Sequence, residues 1–433
     1  MATRKHADWA KKLAWVLLLS VVPSVCYADW TDVMRKFKPR ISVAEEYTSN
    51  VNLTKDNTRE DFITTVSPGL TFRATETPEA KAGLDLDYNL GLVFYAHSSE
   101  KNYVSHTGTL NTWYTFGDRW TLRLWDYYIH SQDPIEYVVA VSPQPGVIYP
   151  GTQRGRFEYD RNIFQPSLTY QFGREDQLEL IYRNNYYETQ NPVGDDSRGD
   201  NVTPRLTYWF DIRHGIVLEY MFQAVQYDLQ PDLVGHRGRA RYTYRFDPRT
   251  SVFADYVYDT LNYDDPGTDF YVNNPSVGIT HAFTPTLSSR LQVGYFWRNP
   301  ESGKTVDGLS VDAGITQRTQ RLTLDLTLQG GYSYDFFSSS ALGFYQYYRG
   351  IASAAYQFGQ RVSGSVVGSV EWDDYIEAGR KEWIWRVGPQ VSYQVWRWLS
   401  LSLGGSFGQR QSNQDFNDYD EWRAFLRLTA AYW

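Results

Sequence analysis

The chain has 433 residues, a formal net charge of −8 and an aromatic content of 17% from Tyr 35, Phe 22 and Trp 15. Its mean hydropathy is −0.51, and after residue 28 no apolar run approaches the ~20 residues of a membrane helix, which excludes a helical membrane protein. The acidic balance argues against nucleic acid, a partner that requires a basic face.

The N-terminus carries Arg4, Lys5, Lys11 and Lys12, then the apolar run Leu13 to Val25 and the small-x-small ending Cys26-Tyr27-Ala28. This predicts a secretory signal peptide over residues 1–28, cleaved after Ala28. Pro23-Ser24-Val25 is a poor match to the segment that precedes a lipidated cysteine. Cleavage removes four Lys/Arg and one Asp, so the mature chain stands at −11, and it removes Cys26, the only cysteine. Neither a structural disulfide nor a thiolate metal site is then available.

Residues 29–39 are expected to form a periplasmic lead-in, and residues 40–433 one transmembrane unit. From about residue 40 onward, apolar and polar residues alternate with period 2. Leu84, Leu86, Tyr88, Leu90, Leu92 and Phe94 oppose Asp85, Asp87 and Asn89. Leu322, Leu324, Leu326 and Leu328 oppose Arg321, Thr323, Asp325, Thr327 and Gln329. Trp383, Trp385, Val387, Val391, Tyr393 and Val395 oppose Glu382, Arg386, Gln390, Ser392 and Gln394.

Nine short turns punctuate these runs, at Thr77-Pro78, Gly117-Asp118, Gly173 to Glu175, Ile212 to His214, Asp247 to Arg249, Thr284-Pro285, Arg318-Thr319, Gly359-Gln360 and Arg397. Ten longer polar segments lie between them, near 48–60, 96–102, 132–157, 190–199, 229–235, 264–268, 299–304, 337–342, 374–381 and 412–418. Tight turns alternating with long loops are the layout of an all-β, transmembrane, antiparallel up-and-down β-barrel. Nineteen connections imply about 20 strands, with 18 as the alternative because the strand near Arg40 is short and irregular in pattern. Both termini then fall on the short-turn, periplasmic side.

Runs of this length, dividing Leu/Val/Tyr/Trp from Arg/Asp/Gln/Thr, disfavour a soluble sandwich or propeller. Phe116, Trp120, Phe172, Phe210, Phe246, Phe283, Phe358, Trp396 and Trp398 sit beside short turns, where interfacial aromatics form a girdle.

The final run, with Trp422, Ala424, Leu426, Leu428, Ala430 and Tyr432 in one phase, resembles the C-terminal signal read by the outer-membrane assembly machinery. It departs from that signal in the extra Trp433 and in Arg427, where a glycine is common. Glu46-Tyr47-Thr48-Ser49-Asn50-Val51, then Asp61-Phe62-Ile63 and Val66-Ser67-Pro68-Gly69-Leu70, resemble the opening of the β-barrel porin family often called porin 2, with Ser49 where that pattern often has Asp. The resemblance covers about 25 residues. It implies a porin in the outer membrane of a Gram-negative cell, and an association with exopolysaccharide export that is known for some members. The partners it implies are outer-membrane lipid and lipopolysaccharide, the barrel assembly machinery and polysaccharide export components.

No nucleophile elbow, zinc-protease helix, phosphate loop or Cys/His metal spacing occurs, so no enzyme and no cofactor is expected. Pairings of Ser105 or Ser131 with His106 or His130 stay open as a hydrolase reading, weighed against plain solvated histidines. Asp373-Asp374 and Asp264-Asp265 are calcium candidates, weighed against exposed loop charges.

Arg237, Arg239, Arg241 and Arg245 share one strand face, with Arg183, Arg205, Arg290, Arg298, Asp255 and Asp259 in the same phase nearby. An arginine at the lipid midplane costs ~2–4 kcal/mol, so this row must face the lumen. There it either polarises a pore or forms a salt-bridged interior. Trp113, Trp125, Tyr127, Tyr187 and Trp209 are inward aromatics, suited to stacking on sugar rings or to filling space. The proline-rich segment 132–157 is the candidate for a constriction folded into the lumen, with an exposed flap as the alternative. Two readings follow: a channel for polysaccharide or other hydrophilic solutes, and a structural or partner-binding barrel without an open pore.

Overall fold

The computed structural model describes residues 35–74, 80–133, 156–192, 194–264, 267–334 and 343–432. The signal segment, the Thr77-Pro78 turn, most of the 132–157 segment, Asp265 and Trp433 lie outside the described residues.

Twenty antiparallel strands follow one another. They are β1 (Phe37–Thr48), β2 (Asp61–Arg73), β3 (Ala82–Tyr95), β4 (Tyr103–Phe116), β5 (Trp120–Ser131), β6 (Tyr159–Gln171) and β7 (Gln177–Thr189). Next come β8 (Ser197–Trp209), β9 (His214–Tyr227), β10 (Leu233–Asp247), β11 (Thr250–Tyr263), β12 (Phe270–Thr284), β13 (Leu287–Pro300) and β14 (Val306–Arg318). The rest are β15 (Leu322–Tyr334), β16 (Phe344–Gln357), β17 (Val362–Tyr375), β18 (Arg380–Trp396), β19 (Leu399–Ser412) and β20 (Tyr419–Ala431). Each strand pairs with the next in sequence, and β1 pairs with β20 from Arg40↔Ala431 to Thr48↔Arg423. The sheet is therefore a closed barrel of 20 strands.

β1 is a regular strand that begins at Phe37, three residues before Arg40, and it pairs with β2 along its whole length. Lys38 and Pro39 thus belong to the wall rather than to a lead-in.

Alternation sorts side chains as the sequence pattern requires. Leu326, Leu328, Val366, Val391, Tyr393, Leu426 and Leu428 are exposed on the outer face. The nine aromatics beside the short turns are all exposed as well. From Phe246 to His236 on β10, ten residues at a tilt near 40° rise roughly 25 Å, the height of an outer-membrane apolar band.

Five mid-strand prolines, Pro68, Pro166, Pro204, Pro275 and Pro389, stand on this outer face, and beside each the pairing skips on one side only. A proline has no N–H to give to the ladder, so the break is local and the register resumes beyond it.

Inside, the half of the barrel nearer the long loops holds three apolar clusters among buried ion pairs such as Arg349–Glu371 and Arg380–Glu382. Val225, Leu233, Leu261, Phe270, Val272, Phe296, Val306 and Phe344 form one cluster. Tyr127, Ile129, Tyr159, Ile163 and Tyr187 form a second, and Val51, Ile63, Val93 and Tyr95 a third. The polar lumen implied by alternation is corrected here: many inward positions near the long loops are rings and aliphatics, set among buried charges.

Val391→Arg, which sets a guanidinium against hydrocarbon, is expected to lower folding stability in phosphatidylcholine vesicles by roughly 2–4 kcal/mol. Gln390→Arg, on the inner face of the same strand, should cost much less. Equal losses in a guanidinium titration would contradict the assignment of faces.

Candidate pore and its lumenal network

The arginines of β10 face inward, as their phase predicts, and opposite them β11 supplies Asp255 and Asp259, both almost fully buried. Arg239 and Arg241 converge on Asp255 at 2.7 and 2.6 Å, and Arg237 lies 3.5 Å from Asp259. Arg245 reaches Glu175 in the β6–β7 turn at 2.6 Å and lies over the Trp209 ring, 3.4 Å from its centroid.

Arg205 on β8 is held between Glu179 (3.0 Å) and Glu219 (2.6 Å) on its two neighbouring strands. Arg290 pairs with Asp312 at 2.6 Å, Arg298 with Glu377 at 2.6 Å, and the Arg183 Nε donates to Gln165 at 2.7 Å. Every inward arginine singled out in the sequence thus meets an anionic or amide oxygen, mostly on an adjacent strand. Pairing lowers the cost of partial burial and leaves a corrugated wall of alternating charge rather than a bare cationic stripe.

A second network has no counterpart in local sequence. Asp133, just after β5, and Arg156, just before β6, are the two feet of the long β5–β6 loop, and both reach the β20–β1 wall. Arg156 pairs with Glu421, contacts Asp133 at 2.7 Å and donates from Nε to the Val51 carbonyl at 3.1 Å. Arg423 contacts Asp133 at 3.0 Å, Glu421 at 3.1 Å and Glu46 at 3.3 Å, while the Thr48 hydroxyl donates to Glu421 at 2.6 Å. Burial alone would raise the Asp133 carboxyl, but the Arg423 and Arg156 guanidiniums outweigh it and hold Asp133 below the ordinary carboxylate range. The feet are therefore clamped inside the mouth, about a quarter-turn from their own strands. Only pairing across 265 and 290 positions produces this arrangement.

A third device narrows the same end. The β14–β15 register stops at Val311↔Gly330, while β15 and β16 stay paired up to Tyr334↔Phe344. At Gly331, whose φ of +147° suits only glycine, the β15–β16 hairpin leaves β14 and leans into the lumen. Its Tyr332 hydroxyl donates to Asp259 on β11 at 2.6 Å, and its Phe344 packs on Phe270 with centroids 5.5 Å apart.

The aromatic candidates divide. Tyr127 and Tyr187 are buried in the second apolar cluster and present no ring face to a passing solute. Trp125 stacks on Tyr127 at 6.3 Å, Trp113 lies beneath Arg123 at 5.7 Å, and Trp209 is covered by Arg245. All three are only partly buried.

The hydrolase candidates are not brought together. His106 and His130 stand on the outer face, with Nδ1 atoms 2.7 Å from the Tyr88 hydroxyl and 3.1 Å from Asp160. Ser105 donates to the Gly91 carbonyl at 3.4 Å, and the Ser131 hydroxyl accepts from the Asp133 N–H at 3.0 Å. Asp373 is buried inward whereas Asp374 pairs with Lys381 at 3.0 Å on the other face, so the two do not converge. Among the described residues no group of three His, Cys, Asp or Glu side chains is placed to hold a metal.

A closed barrel with an apolar outer band and a charge-paired interior is a β-barrel of the outer-membrane kind. Residues 230–432, somewhat under half of the chain, match the family described as "Putative beta-barrel porin 2". The match bears out the resemblance read from the opening segment, although it lies outside that segment.

Among solved structures, the siderophore receptor PirA from Pseudomonas aeruginosa is similar at 8% identity and a TM-score of 0.50, over 92% of this chain and 80% of that one. A mutant of the ferric enterobactin receptor PfeA from the same organism is similar at 10% identity and a TM-score of 0.50, over 92% and 80%. The outer membrane protein opdK from Pseudomonas aeruginosa aligns at 13% identity with a TM-score of 0.42, over 92% and 100%. At such identities the first two likenesses speak to the fold alone. A comparison with curated proteins gives no match.

Asp255→Ala leaves Arg239 and Arg241 side by side without their shared carboxylate. If the barrel conducts, its selectivity should shift toward anions, read as a change of reversal potential in a salt gradient. An unchanged potential would place these groups off the ion path.

Proposed function

We propose that the protein is a narrow passive channel for small hydrophilic solutes, with carbohydrate as the class that best fits its inner surface. The observation that carries this reading is the ladder of inward ion pairs from Arg205 through Arg241 to Arg290, which gives a passing solute both donors and acceptors. Trp113, Trp125 and Trp209 supply ring edges and faces for sugar C–H groups. Polysaccharide export is an extension of this reading and requires the clamped loop feet and the leaning hairpin to move aside.

In the same reading the tight turns and both termini are periplasmic, the long loops face outward, and residues 1–28 are the export signal. Outer-membrane lipid, lipopolysaccharide and the assembly machinery are the surroundings that such a barrel requires, and polysaccharide export components are its proposed partners.

One observation favours a second reading, a barrel of an envelope complex without an open pore: the loop-side lumen is filled by the first apolar cluster and by the Tyr332–Asp259 contact. Planar-bilayer recording separates the two. A channel gives small, steady unitary currents that malto-oligosaccharides reduce, whereas a filled barrel gives none.

Glu421→Gln removes the anion shared by Arg156 and Arg423 and should raise the unitary conductance and its noise. An unchanged trace would show that the clamp does not bound the pore.

The sign of the pH effect follows from Asp133. Its folded pKa is depressed, so its contribution is fully present above the ordinary value of 3.8 and is lost only as pH falls through the lower folded one. Titration of Asp133 should leave conductance flat from neutral pH to about pH 5 and raise it only below the ordinary carboxylate range; a step near pH 6 would rule out Asp133 as the sensor.

A further inference from the structure

The parting of β14 from β15 leaves a seam in the wall. Val306 to Ser310 are paired to β13 on one side, but on the other they have no β15 partner, because that register ends at Val311↔Gly330. Elsewhere the ladder skips two residues beside a proline, shifts at a bulged strand end, or stops at most three residues short, as at His106↔His130; here it stops five residues short without a proline, in the half of the wall near the long loops.

Side chains of β16 bridge the seam. The Tyr348 hydroxyl donates to the Leu309 carbonyl at 3.1 Å, and the Gln346 Nε2 donates to the Tyr348 oxygen at 2.9 Å. Trp372 stacks on the Tyr348 ring with centroids 5.9 Å apart. One side-chain hydrogen bond, braced by a second within β16, therefore stands where a backbone ladder would be, and a ladder is the harder to open.

Behind the seam the lumen is apolar. Phe296 is opposite Gly308, Arg298 is opposite Val306, and Val306, Phe296, Phe344 and Phe270 belong to one cluster. Within this apolar setting Arg298 is 4% exposed, and its Nε–H is buried without a hydrogen-bond partner among the described residues. Its guanidinium lies 4.2 Å from the Phe270 ring centroid and 4.7 Å from that of Phe344.

We propose that the β14–β15 seam is a lateral opening between the lumen and the outer leaflet, serving a long-chain amphiphile with an anionic head. Its tail lies along Phe296 and Phe344, and its head accepts from the free Arg298 N–H beside Glu377. The outer face at the seam, with Leu309 exposed at 57%, is continuous with hydrocarbon, so the tail leaves lipid and enters an apolar compartment without crossing water. This route is separate from the axial path for hydrophilic solutes and does not require that path to conduct.

Photocapture of radiolabelled palmitate by the full chain in phosphatidylcholine vesicles tests the route. A benzophenone side chain replaces Phe296 behind the seam, Leu309 outside it, or Trp125 on a distant inner wall. Capture is expected at positions 309 and 296 and not at 125. In the Phe296 background, Tyr348→Phe should raise capture about fivefold, the change that losing one bridging hydrogen bond produces. Arg298→Gln should lower it about tenfold, as expected for a charge-assisted bond to the head.

Capture at 309 alone, in both the parent and Tyr348→Phe, overturns the proposal by showing a closed seam. Equal capture at 296 and 125, indifferent to Tyr348, overturns it by showing entry through the mouth. Heat-shifted migration on gels verifies folding, and Gln346→Leu replaces Tyr348→Phe if that variant fails the check. Ionic conductance of the same preparation keeps this test apart from the axial channel, since either result can fail while the other stands.

Discussion

A backbone in hydrocarbon has no water to bond with, and each unpaired amide or carbonyl there costs several kcal/mol. The remaining features follow from meeting that constraint with strands. β1 must find β20, and it does so over nine residue pairs. Closure sets an inside and an outside, and the pleat then assigns every residue to one of them. Leu326 and Val391 go to lipid, Arg239 and Asp255 to the lumen. The prolines are tolerated because each interrupts one side of the ladder for two residues and stands on the outer face.

The inward charges follow a second constraint. A guanidinium half-withdrawn from water needs an anion close by, and antiparallel neighbours present one at nearly the same height. Arg205 takes one carboxylate from each neighbouring strand, and Asp255 serves two arginines on the strand beside it. This makes the wall stiff and its field alternating. The mouth is organised differently: the Arg156–Glu421 and Tyr332–Asp259 contacts tie together strands that are not neighbours. These contacts narrow the barrel where the long loops meet it.

Much of the fold was legible in the sequence because a two-faced strand and a tight turn are both local signals. The nine short turns and ten long segments correspond to the connections between the 20 strands, and the Leu322–Leu328 alternation reads directly as an outer face. The β1 start was read late because Phe37, Lys38 and Pro39 alternate weakly; pairing with β2 rather than pattern makes them a strand. The arginine row was legible for the same reason as the strands, but its partners were not, since Glu175, Glu219 and Asp312 lie on other segments. The burial of Tyr127 and Tyr187 depends on Tyr159 and Ile163 across the sheet. The clamp and the leaning hairpin were invisible to any local reading: one depends on contacts between distant segments, the other on a single glycine at Gly331.

The account rests on β10 having a wet face and a lipid face at alternate positions. Single cysteines at residues 237 to 242, in a chain whose only native cysteine is Cys26, can be probed in vesicles with a membrane-impermeant maleimide and with a lipophilic one. Positions 237, 239 and 241 should react with the aqueous reagent, and 238, 240 and 242 with the lipophilic one. Uniform labelling by either reagent along the strand would contradict a barrel that separates a charged lumen from the membrane.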